Sequence, residues 1–77
     1  MDNQLAKRLL PLVNNNQTWE PLKEFLQEQT QLTQQALVVA QSEQELRQLQ
    51  GKAALLATLL QLREWVRAEA SRKNDTN

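Results

Sequence analysis

Apolar positions along this chain keep a helical period over two long stretches and reverse direction once between them. The first stretch places Leu22, Phe25, Leu26, Leu32, Ala36 and Val39 on one face, interrupted by Gln29 and Thr33. Leu37 and Val38 lie off that face and point to a second contact. The second stretch carries Leu46, Leu49, Ala53, Leu56 and Leu60, with Leu59, Leu62 and Val66 adding a further stripe. Read outward from Ser42, the two stretches mirror each other. Val39 stands opposite Leu46, Ala36 opposite Leu49, Phe25 opposite Leu59, Leu22 opposite Leu62 and Trp19 opposite Trp65. This pattern predicts an all-α fold built on a long antiparallel helical hairpin, about 19–40 and 43–70.

Local signals set the expected boundaries. Asp2 can cap a short N-terminal helix, about 2–10, carrying Leu5, Ala6, Leu9 and Leu10. Pro11 lacks an amide hydrogen and biases Leu10 away from helical angles, so this helix is expected to stop there. Asn14 to Gln17 reads as a loop. Thr18 is then a candidate N-cap, with Trp19, Glu20 and Pro21 in the first turn, where a proline loses nothing. Ser42 and Glu45 have the spacing of a capping box. The chain reads as a single helical domain over 1–77, with residues 71–77 a frayed polar tail.

The second long helix has more apolar surface than one partner covers. Between Ala53 and Leu62 only Thr58 and Gln61 are polar, and a helix apolar nearly all round is buried on several sides. Either the N-terminal helix folds back over it, or another chain does, completing a bundle by self-association. The residues assigned to packing or interaction are Trp19, Leu22, Phe25, Leu49, Gly51, Leu56, Leu59, Leu60, Leu62, Trp65 and Val66. Gly51, the only glycine, is read as a point of close backbone approach rather than a kink. Trp19 and Trp65 are read as a core pair closing the open end, the alternative being that one of them anchors a partner. Glu20, Glu24 and Glu28 sit one turn apart, as do Arg63 and Arg67. Antiparallel pairing would bring the two sets together and favour this register, although a solvated face is the safer reading of them.

Composition narrows the function. Leucine (15) and glutamine (12) dominate the 77 residues, which suits helix. Cysteine and histidine are both absent, so no disulfide and no imidazole-based metal or acid–base site can form. The three glutamates alone, with lysine and arginine nearby, make a poor metal site. Nine basic residues balance nine acidic ones, which argues against a general electrostatic grip on nucleic acid, although Arg63, Arg67, Arg72 and Lys73 gather near one end. Nucleic acid is therefore not an expected partner. The first residues are too polar for a secretory signal, and the longest apolar run, Ala53 to Leu62, is about half a membrane span. No membrane contact, no cofactor and no enzymatic activity are expected.

The segment Glu45-Leu46-Arg47-Gln48-Leu49-Gln50-Gly51-Lys52-Ala53, followed by Leu55-Leu56 and Leu59-Leu60-Gln61-Leu62, resembles an element of small helical proteins of tailed bacteriophages. In those proteins a tryptophan-started helix and a turn precede an E-L-x-x-L-Q-G-x-A stretch. Trp19-Glu20-Pro21-Leu22 stands where that first helix begins, so the resemblance covers about 19–62 and leaves 1–18 outside. It implies no catalytic residues. It implies a non-enzymatic interaction module, a small phage structural or assembly accessory protein located in the virion or host cytoplasm. The expected partners are other copies of itself and a larger phage protein. Two alternatives stay open: a host-takeover or anti-defence protein that blocks a bacterial factor, and a small helical nucleic-acid-binding protein.

Overall fold

The computed structural model describes residues 1–72. Among them the chain is all-α, with helices α1 (Asn3–Asn14), α2 (Asn16–Val39), α3 (Glu43–Leu60) and α4 (Leu62–Ala70). They form two helical pairs, α2 with α3 and α1 with α4, joined end to end. The expected hairpin about Ser42 is present. Ala40 and Ser42 are extended, and the Ser42 hydroxyl accepts the Glu45 amide at 3.0 Å. Asp2 caps α1 by accepting the Gln4 amide at 2.9 Å. The Cα envelope measures 53 × 30 × 12 Å, and each helix packs along one lateral partner, so the helices lie in one layer.

Three boundaries differ from expectation. The first helix does not stop at Leu10; it runs through Pro11 to Asn14. Pro11 is exposed, so its ring and missing amide disturb only the outer surface, while helix continuation carries Val13 into full burial. Burying a valine contributes roughly 1.5–3 kcal/mol, which offsets much of the cost of an interior proline. The predicted loop over 14–17 shrinks to one residue. Asn15 alone leaves helical angles (φ −89°, ψ 104°), and its side chain caps α2 by accepting the Gln17 amide at 3.0 Å. The N-cap is therefore Asn15, not Thr18, and Pro21 falls one turn further into the helix than expected.

The third difference is at Gln61, which divides the expected single helix 43–70 into α3 and α4. Its amide reaches back to the Thr58 carbonyl at 3.1 Å, a tightened turn. The spacing of inward-facing residues supplies the reason. Buried positions in the first arm, Leu26 and Thr33, lie seven apart, but Leu56 and Val66 lie ten apart. Three extra residues in a seven-residue repeat overwind a helix locally, and the Gln61 turn takes up that mismatch.

The core has a dense end and a sparse end. Ala6, Val13, Trp19 and Val66 form one buried cluster, with Leu9, Leu10, Leu22, Leu62 and Ala70 packed against it. Trp19 is the α2 member of this cluster, so its large ring joins the α1–α4 pair to the α2–α3 pair. Asn3 adds a polar tie, donating to the Glu69 carbonyl at 2.7 Å near the end of α4, where helix carbonyls lack partners. Along the hairpin itself burial is thinner, with Leu26, Thr33 and Leu56 as its buried residues. Thr33 was expected to interrupt the apolar face; it lies buried between α2 and α3 instead. Its hydroxyl donates to the Gln29 carbonyl at 2.8 Å, so no buried donor is left unpaired. Residues 73–77, most of the expected frayed tail, lie outside the described residues.

Candidate interaction surface

Six of the exposed large apolar side chains share a position relative to the core, while Met1, Val38 and Leu46 do not. Leu5, Phe25, Leu32, Leu55 and Trp65 each immediately precede a buried residue: Ala6, Leu26, Thr33, Leu56 and Val66 respectively. Val39 likewise precedes half-buried Ala40, and half-buried Leu12 precedes buried Val13. One residue is about 100° of helix turn, so a residue just before an inward-facing one leans toward the edge of the helix pair. Reversing the chain direction reverses that sense of rotation. In two antiparallel helices the preceding residues therefore lean to the same face. Phe25, Leu32 and Val39 of α2 share a face with Leu55 of α3, and Leu5 and Leu12 of α1 share one with Trp65 of α4.

The residues that follow the buried ones lean the opposite way. They are Lys7, Asn14, Glu20, Gln27, Gln34, Ala57 and Arg67, all exposed and all polar except Ala57. Each helix pair therefore has an apolar face and a polar face. On the apolar side of α2, Leu22, Phe25, Gln29, Leu32, Ala36 and Val39 alternate steps of three and four, the spacing of a coiled-coil seam. The face expected toward α3 was Leu22, Phe25, Leu26, Leu32, Ala36 and Val39. Leu26 does turn inward, beside Trp19 and Thr33, but Phe25 (56% exposed), Leu32 (50%) and Val39 (68%) stand outside. Both rows fit the same period, and single-residue offsets decide which one turns inward.

The sequence-assigned residues divide accordingly. Trp19, Leu56 and Val66 are buried, while Leu22, Leu49, Leu59, Leu60 and Leu62 are half-buried. Phe25 and Trp65 are exposed members of the apolar face, so the tryptophans do not form a symmetrical core pair: Trp19 is 2% exposed and Trp65 48%. Trp65 lines an open recess of about 300 Å³ with Met1, Ala68 and Glu69. Gly51 marks no close approach. It is exposed, and a Cβ built on it would meet nothing within 4 Å.

The expected glutamate–arginine register is also absent among the described residues. Glu20 lies 4.0 Å from Lys23, Arg47 pairs with Glu43 at 2.8 Å and Arg72 with Glu69 at 3.3 Å, all within single helices or their ends. Arg67 instead donates to Asn14 at 2.7 Å. The cause is the partner of α4: it packs along α1, which carries no glutamate, rather than along the glutamate-bearing start of α2.

Leu5, Leu32, Val39 and Leu55 were not singled out from sequence as interaction residues. The seven-residue step from Phe25 through Leu32 to Val39 was the available signal, visible once the row beginning at Trp19 and Leu26 is assigned inward. Among the described residues, no three acidic side chains lie close enough to hold a metal ion, and no helix is long and apolar enough to cross a membrane. No protein-family model, curated protein or solved structure matches the chain.

Proposed function

We propose that this chain is a non-enzymatic protein-interaction module, serving as a small structural or assembly accessory protein of a tailed bacteriophage. The observation that carries the interaction role is the one-sided placement of Phe25, Leu32, Val39 and Leu55 on the α2–α3 pair, opposite a face of Gln27 and Gln34. Apolar residues gathered on one face and rimmed by polar ones mark a surface that another protein covers. The phage setting is drawn from the resemblance of the 45–62 element, and with it a location in the virion or host cytoplasm.

Quantitative mass spectrometry of particles purified from a producing culture tests the assembly role. The wild-type chain is expected in a fixed ratio to the major particle proteins. A variant carrying Phe25→Ser and Leu32→Ser is expected to be lost from assembled particles while remaining folded. Recovery of the wild-type chain only outside particles, in a stable complex with a bacterial protein, would replace assembly with a host-directed role.

A further inference from the structure

We infer that the occupant of the apolar α2–α3 face is a second copy of this chain, the two slabs stacking face to face into a two-layered assembly. This deepens the interaction-module reading and rests on it.

Four observations favour a second copy. Each helix packs along one lateral partner, α2 with α3 and α1 with α4, with no helix stacked over either pair, whereas a stable helical core is closed by at least two packed layers. A second slab supplies the missing layer at matching length. The broad side extends 53 Å by 30 Å at its widest, long enough for a helix pair to lie along it. The spacing of Leu22, Phe25, Gln29, Leu32, Ala36 and Val39 calls for a partner that also presents long helices with a seven-residue repeat, and α2 is such a helix. Finally, the formal net charge is +0, so two copies approach without net repulsion.

Light scattering coupled to size exclusion, applied to the full chain over a range of concentrations, reads the outcome. The expected mass is twice the 8.9 kDa of one chain. Phe25→Glu with Leu32→Glu is expected to halve that mass with the helical circular dichroism retained, because both side chains are already half-exposed. Gln27→Glu with Gln34→Glu, on the polar face, is expected to leave the mass doubled. A wild-type monomer at every concentration, a trimer or larger ring, or a folded Phe25/Leu32 double variant that stays dimeric would each overturn the stacking.

Should the glutamate variant unfold, single cysteines decide the matter, since the natural chain has none. Leu32→Cys is expected to give a cross-linked pair with a short bis-maleimide, and Gln34→Cys is not. Equal cross-linking at both positions, or none at Leu32→Cys, would overturn the proposal. A folded monomer that still enters particles removes the stacking and leaves the interaction module standing. A dimer absent from particles keeps the stacking and removes the assembly role.

Discussion

Arg67 of α4 donates its Nε–H to Oδ1 of Asn14, the last residue of α1, at 2.7 Å across 53 positions of sequence. Arg67 immediately follows buried Val66 and Asn14 immediately follows buried Val13, so the bond spans the polar face directly above the core cluster. Antiparallel geometry places both residues on the same side, and with the Asn3–Glu69 hydrogen bond this bond ties two helices that no ion pair links among the described residues.

The bond is exposed, so its contribution is small. Asn14→Ala and Arg67→Ala are each expected to lower unfolding free energy by about 0.5–1 kcal/mol. The double variant is expected to cost little more than either single one. Urea denaturation of the four chains measures the coupling, and strict additivity would show that the two side chains act independently.

Leu55 and Leu56 are neighbours with opposite surroundings, 58% and 7% exposed. Leu56→Asp puts an unpaired charge into the sparse hairpin core and is expected to abolish cooperative unfolding at neutral pH. Leu55→Asp is expected to keep helix content and shift stability by no more than about 0.5 kcal/mol in the monomer. Circular dichroism melts of both variants separate the inward row from the outward one. Equal losses would mean that the two positions are not distinguished by burial.

Gly51 occupies open space inside α3 at ordinary helical angles. Gly51→Ala is expected to stabilise the fold by about 1 kcal/mol, because alanine has less backbone freedom to lose. Gly51→Leu is expected to be tolerated almost as well. A loss of stability with leucine but not alanine in thermal melts would point to a neighbour that packs over this position.

Thr33 places a hydroxyl in the hairpin interior and pairs it with the carbonyl of its own preceding turn. That arrangement satisfies the donor but adds nothing across the helix pair. Thr33→Val is expected to raise unfolding free energy by about 1 kcal/mol, equivalent to roughly 4–8 °C in Tm for a domain of this size. A lower Tm would mean that the hydroxyl serves a purpose beyond its own helix.

The hairpin was legible because it rests on redundant signals: two apolar stripes, a capping serine at the reversal and strong helix formers throughout. The helix breaks were not, for two different reasons. Pro11 is a strong local stop signal, but local preference yields where burial of Val13 opposes it. Gln61 carries no local signal at all, and its break comes from the ten-residue step between Leu56 and Val66, which appears only once the inward residues are known. The interaction face was half legible. Phe25 and Leu32 were recognised as part of a stripe, but α2 carries two rows of the same period. Choosing between them depends on what α3 and α4 present, and a single-helix pattern does not contain that information.

The two tryptophans occupy opposite situations, Trp19 within the buried cluster and Trp65 half-exposed on the apolar side of α4. The molecule thus carries two intrinsic fluorophores that report separate events. With Trp65→Phe, the remaining emission is expected to be blue-shifted and to move red on denaturation, following the junction between the helix pairs. With Trp19 replaced instead, quenching by iodide reports whether the outer indole is open to solvent or shielded by a neighbour.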